Sequence, residues 1–263
     1  MKNHMIKNSG IKTLAAIGLL FVTTLAQAAP LTVAIAANLK YVFDDLATEF
    51  KKETGIETQS VLNASGKIAT QVRNGAPFDV FMSADMEYPE GLYKDGYATT
   101  PPKPYAYGLL VLWSETGVDL SKGVAGLADK SVGKVAIANP KIAPFGRQAL
   151  KALDYYKVRT TVEPKLVYGE SITQVSQYVD SKAADVGFSA KSIVIAPETA
   201  GKGKWVEVPQ ESYEPIAQGV VILKHGSEVN GEAARKFYGF VQSEKARAIF
   251  ALNGYAIKDM KAP

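Results

Sequence analysis

The chain has no cysteine among its 263 residues. That excludes disulfides, thiolate nucleophiles, cysteine-held metals and a lipid-modified N-terminal cysteine. Histidine is nearly as scarce: His4 lies in a leader segment, and only His225 remains beyond it. Net charge is small as well. The formal charge of +4 includes Lys2, Lys7 and Lys12, and without them 27 Lys+Arg face 26 Asp+Glu. Nucleic acid therefore has no basic surplus to bind.

The one long apolar run is near the start. Those three lysines precede or border "TLAAIGLLFVTTLA", and "AQA" follows at Ala26, Gln27 and Ala28. A basic region, a short apolar region and a small-x-small site read as a secretory signal peptide over 1–28, cleaved after Ala28. The run is too short for a membrane anchor. A freely soluble exported protein is expected, placed in a periplasm.

The remaining chain alternates strand and helix patterns. "PLTVAIA" alternates apolar and small polar residues, and Leu39, Val42, Phe43, Leu46 and Phe50 then recur at helical spacing. Further strands are expected in "GIETQSVLNA", "FDVFM", "LLVLWS", "KVAIANP", "KLVYGES", "DVGFSA" and "AQGVVILK". Helices are expected from Ser65 to "NGAP", at about 146–157 and 172–182, and over "NGEAARKFYGFVQSEKARAIFALNGY". This order predicts parallel α/β units. Prolines 101, 102 and 104 in "TTPPKPYAYG" suggest an extended crossing into a second unit. The expected fold is α/β and bilobal, two mixed-sheet lobes with a central anion cleft. Lobe 1 is formed by 29–107 and 215–263, and lobe 2 by 108–214.

Four strand-to-helix corners share one chemistry: Ala37-Asn38, Ala64-Ser65-Gly66, "IAPFG" (142–146) and "YGESITQV" (168–175). The helix opening at Ser65 has no acid in its first turn, where one would normally complement the helix dipole. Helix N-termini carry unpaired N–H groups and partial positive charge, so corners converging on a cleft can hold an anion without a formal cation. The plain alternative is that Asn38, Ser65 and Ser171 merely cap their own helices.

"AANL", "ASGKIATQVRNGAPFDVFMSAD", "NPKIAPFG" and "GESITQV" occur in that order and together resemble the periplasmic molybdate-binding proteins of ABC transporters. The likeness spans nearly all of the chain after Ala28. It resembles the branch with asparagine in the first corner, where many relatives have serine. The resemblance implies a type II periplasmic binding protein that takes up molybdate, and tungstate with it, with high affinity and delivers it to an inner-membrane ABC transporter permease. It implies a monomer, no enzymatic activity and no cofactor beyond the oxyanion itself. It implies oxyanion contacts at Asn38 and Ser65 from side chain and backbone, at Phe145 and Ile172 from backbone N–H, and at Ala37 from its backbone. No side chain would ligate the metal atom directly. A tyrosine near "GFSA" in another branch is replaced here by Ala190, and Glu170 is expected to face solvent with Ser171 as the cap.

An all-donor site suits a fully deprotonated tetrahedral dianion. Phosphate keeps a proton near neutral pH, and an unmet buried donor or acceptor costs roughly 1–3 kcal/mol. Sulfate, another tetrahedral oxyanion, is the leading alternative ligand. Two other classes stay open on residues alone. Ser65-Gly66-Lys67 could be an activated serine of a hydrolase, with His225 read as part of an exposed loop. Tyr155 and Tyr156 could be ferric-iron ligands, or simply a partly buried aromatic face. "GKGKWVEV" reads as a surface loop.

Overall fold

A computed structural model describes Met1 and residues 29–257. The expected signal peptide lies outside the described residues. Two five-stranded mixed sheets form the frame. The first is built from β1 (Leu31–Ala36), β2 (Thr58–Asn63), β3 (Val80–Met82), β4 (Lys103–Gly108) and β10 (Ile216–Ile222). The second contains β5 (Leu110–Ser114), β6 (Val135–Ala138), β7 (Leu166–Gly169), β8 (Val186–Ala190) and β9 (Lys204–Glu207). Helices α1 (Val42–Thr54), α2 (Ser65–Arg73) and α3 (Glu87–Lys94) belong with the first sheet. Helices α4 (Pro144–Tyr155), α5 (Arg159–Val162), α6 (Ile172–Asp180) and α7 (Lys191–Val194) belong with the second. The chain then returns to the first sheet for α8 (Lys224–Val229), α9 (Gly231–Phe240) and α10 (Glu244–Leu252).

Both sheets follow one plan. The strand orders are β2-β1-β3-β10-β4 and β7-β6-β8-β5-β9. In each, three parallel strands adjoin two that run antiparallel. No repeat is visible in the residues, so the two halves share topology without sharing side chains.

Alternation in β1 explains its packing. Leu31, Val33 and Ile35 join Leu46, Phe50 and Phe237 on one face, while Ala34 joins Ile68, Val72 and Phe81 on the other. Phe50 and Phe237 meet edge-on at 5.1 Å between ring centres.

The structure corrects three local readings. The proline-rich segment is not only a crossing: Lys103–Gly108 pairs with β10 at the sheet edge, where Pro104 is tolerated. "GKGKWVEV" includes an edge strand, β9, rather than only a loop. His225 lies in α8, with its Nδ1 2.9 Å from Asp79.

Asp79 itself is buried and ties several elements together. It accepts the Thr32 N–H at 2.8 Å and Asn230 Nδ2–H at 2.9 Å, beside the His225 contact. Removing the carboxylate strands partly buried donors. Asp79→Ala is expected to lower the unfolding free energy by about 3 kcal/mol in urea melts. An unchanged midpoint would show that these bonds do not hold β1 and α8 to β3.

Candidate functional site

Strand register brings the corners together. Ala36 is opposite Asn63 in the parallel β1–β2 pair, and Ala138 is opposite Gly169 in the β6–β7 pair. Each sheet therefore releases two neighbouring chains from the carboxyl ends of adjacent strands, where open α/β sheets place their ligands. The first enters a 3₁₀ turn, Ala37–Leu39, and the others enter α2, α4 and α6.

Ala36, Ala37, Asn38, Ala64, Ser65, Ala84, Ala143, Pro144, Phe145 and Ile172 line one cavity between the sheets. All five residues singled out in the sequence are among them, and all five are buried. No lining residue carries a formal charge. The cavity volume is about 10 Å³, room for about one water-sized group and far below the pockets of organic ligands. This one suits a compact ion.

Three of the four helix starts around it have no side-chain cap. The N-cap positions before the 3₁₀ turn, α2 and α4 are Ala36, Ala64 and Ala143, and none makes a side-chain capping bond. Alanine is a poor choice there, since Ser, Thr, Asn or Asp would satisfy an N–H. None of the four starts has an acid in its first turn. By contrast, α1 has Asp44 and Asp45, α3 has Glu87 and Glu90, and α10 has Glu244. The partial positive charge at the cavity is thus not neutralised by the chain itself.

Ser65 and Asn38 are not caps of their own helices. Ser65 Oγ accepts the Ala84 N–H at 3.0 Å, which fixes the hydroxyl and leaves its proton free to be donated. Asn38 is held by its side-chain amide, through contacts to Gln218 and Tyr255. Ser171 does act as a simple cap, accepting from Gln174 N–H at 3.3 Å. Pro144 has no N–H and presets the first turn of α4, so Phe145 is the first residue there with a donor. The Phe145 ring is packed at the crossing between sheets: a Cβ on Gly108 would lie 2.6 Å from its Cζ.

Formal charges sit at the rim and join the two sheets' elements. Glu170 is exposed, as expected, and pairs with Lys67 of α2 at 2.6 Å. Arg147 of α4 bonds Asp85 and lies 3.2 Å from Glu87. Burial pushes the Asp85 carboxyl above its usual range, against the pull of Arg147. The Gly66 N–H donates to the Ile142 carbonyl at 2.9 Å, a backbone bond across the cleft.

The rival chemistries find different surroundings. Ser65 touches no base: Lys67 is engaged by Glu170, and His225 by Asp79. Tyr155 is more than half exposed and packs edge-on against Tyr156, which is partly buried against the core at the end of α4. Among the described residues no cluster of three or more His, Asp or Glu is placed to hold a metal ion. Ala190 is buried at the end of β8 and offers no hydroxyl.

The sequence reading missed Gln218, Tyr105 and Tyr255, which surround Asn38. For Gln218 a signal existed: a polar residue within the apolar strand "IAQGVVI". For the tyrosines there was none, because their contacts to this network span 113 and 217 positions.

Residues 31–256 match a family described as bacterial extracellular solute-binding protein. The molybdate-binding protein ModA of Azotobacter vinelandii is 35% identical over 248 residues, covering 94% of this chain and 98% of that protein. ModA of Rhodobacter capsulatus is 38% identical over 232 residues, covering 88% and 89%. The solved structure of the Azotobacter vinelandii periplasmic molybdate-binding protein superposes with a TM-score of 0.81 at 33% identity, covering 87% of this chain and all of that one.

The glycine of "APFG" has a steric reason. A Cβ on Gly146 would lie 1.9 Å from the Ala138 carbonyl oxygen, so α4 can seat on β6 only without one. Gly146→Ala is expected to cost about 1–3 kcal/mol in unfolding free energy, measured in urea. Parental stability in this variant would mean that α4 does not depend on this close seat.

Proposed function

This chain belongs to the bacterial extracellular solute-binding proteins, and we propose that its solute is molybdate, with tungstate as a second ligand. The observation that carries this reading is the cavity itself: small, free of formal charge, and faced by uncapped helix starts from both sheets. The proposed contacts are the backbone N–H groups of Ala37, Phe145 and Ile172 together with backbone and side-chain donors of Asn38 and Ser65. Such a set stabilises a dianion through fixed dipoles, and charge-assisted hydrogen bonds of this kind contribute roughly 1.5–3 kcal/mol each.

Selectivity follows from what is absent near the anion. The nearest carboxylates are occupied at the rim, Asp85 and Glu87 by Arg147 and Glu170 by Lys67. The proton of hydrogen phosphate would have no acceptor. Sulfate shares the charge and shape of molybdate but is smaller, so it leaves donors at longer distances.

The two lobes are assigned as 29–107 with 215–263, and 108–214. Closure brings both sets of donors to one ion, and the rim pairs Lys67–Glu170 and Arg147–Asp85 bridge the same boundary. The protein works as a monomeric carrier rather than an enzyme, in the periplasm after removal of residues 1–28. It hands its ion to the permease of an inner-membrane ABC transporter.

Calorimetric titration with molybdate, tungstate, sulfate and phosphate tests this reading. Molybdate and tungstate are expected to bind at least about 100-fold more tightly than either competitor, a difference of about 2.7 kcal/mol. Equal binding of sulfate would replace the reading with a general sulfate carrier.

A further inference from the structure

Behind the cavity, two buried amides meet. Asn38 and Gln218 are each no more than 1% exposed, and the side chains contact at 2.9 Å. Tyr105 Oη lies 2.8 Å from the same corner of Gln218 and 2.9 Å from the Ser83 carbonyl. Tyr255 Oη lies 3.1 Å from the Asn38 amide and 2.9 Å from the Asn38 main-chain carbonyl, which Ser192 Oγ also reaches at 3.1 Å. Burial pushes both phenols up, so they remain neutral hydroxyls.

Each amide therefore has one corner in the network and one without a partner among the described residues. With the Gln218 oxygen in the network, Asn38 must donate its Nδ2–H inward, and its bare Oδ1 is the corner left over. Asn38 lines the cavity. A carbonyl oxygen in that place repels an anion. The two ends of an amide have the same shape, and the hydrogen-bond network decides which end lies where. Turning both amides over keeps every contact except that between Tyr255 Oη and the Asn38 main-chain carbonyl, because the single Tyr255 proton then goes to Oδ1. The Gln218 NH₂ then supplies two protons, one to Asn38 Oδ1 and one to Tyr105 Oη, whose own proton goes to Ser83 O. Tyr255 donates to Asn38 Oδ1, and Ser192 serves the main-chain carbonyl. The bare corner of Asn38 becomes Nδ2, a donor with two protons.

We propose that Gln218 is a positioning residue for anion binding: by donating to Asn38 Oδ1 and Tyr105 Oη, it fixes the Asn38 amide with Nδ2 presented to the ion. The proposal deepens the molybdate reading and rests on it. It gives a reason for glutamine in an otherwise apolar strand. Glutamate has the same shape but only accepts, so it would draw Asn38 Nδ2 inward and turn Oδ1 toward the anion. Methionine has similar length and would leave the Asn38 amide free to turn.

The test uses protein labelled with ¹⁵N-asparagine and ¹⁵N-glutamine. In the ligand-free parent, the Gln218 NH₂ protons are expected to show nuclear Overhauser contacts to the Tyr105 ring. On adding sodium molybdate, the Asn38 NH₂ pair should shift and become slow to exchange with water. By calorimetry, Gln218→Met should lose about 10-fold in molybdate affinity and Gln218→Glu about 100-fold or more. Contact between Asn38 NH₂ and Tyr105 or Tyr255 that persists in the molybdate complex, with no shift of the Asn38 pair, would overturn the proposal. So would Gln218→Glu binding within about threefold of the parent. If the parent itself does not bind molybdate, the solute reading fails, while the Gln218–Tyr105 contact still decides the amide orientation.

Discussion

The constraint on which the site depends is the unpaired N–H at a helix start. A buried N–H must find an acceptor, and leaving it without one costs about 1–3 kcal/mol. Side chains meet that need at some starts: Ser243 caps α10 away from the cavity, and Ser171 caps α6 beside it. Around the cavity the positions that should cap are alanines at 36, 64 and 143. The first turns there carry no acid either. A region built this way is short of negative charge, and an anion bound there would supply acceptors that the chain itself does not.

The surrounding structure serves to keep that arrangement rigid. Parallel pairing of β1 with β2 and of β6 with β7 sets each pair of corners side by side. Ser65 is held by Ala84, Asn38 by Gln218 and Tyr255, and Phe145 by the packing of its ring at the crossing. Rigid donors lose little entropy when they bind, so more of their interaction with the ion appears as affinity. Formal charges are kept outside, where Lys67–Glu170 and Arg147–Asp85 join elements of the two sheets without entering the cavity. Fixed dipoles lie inside and salt bridges outside: the first face the cavity, the second join elements of the two sheets.

Much of this was legible in the sequence because it is local. Period-two alternation marked Leu31–Ala36, and three-four spacing marked the helix carrying Leu46 and Phe50. The corners showed themselves by residue type, whereas Ala37, Asn38, Ser65, Phe145 and Ile172 were singled out by the family resemblance, and all five line one cavity. What escaped was either edge structure or long-range pairing. Prolines hid Lys103–Gly108, which survives as a strand because it lies on an edge. Glycines and lysines hid Lys204–Glu207 in the same way. A proline inside Glu87–Lys94 masked α3. His225 looked exposed because its partner, Asp79, is 146 positions away. The Asn38 network is the extreme case, since nothing near Gln218 or Tyr255 announces a residue near the start of the chain.

The central claim is that both halves of the molecule donate main-chain N–H groups to one ion. Backbone ¹H–¹⁵N spectra recorded during a molybdate titration test it most directly. Ser65 in α2 and Phe145 and Ile172 in α4 and α6 should shift together, downfield in the proton dimension, and saturate at one equivalent of molybdate. Shifts limited to the elements of one sheet, or centred on Lys67 and Arg147 at the rim while these three amides stay still, would contradict the account.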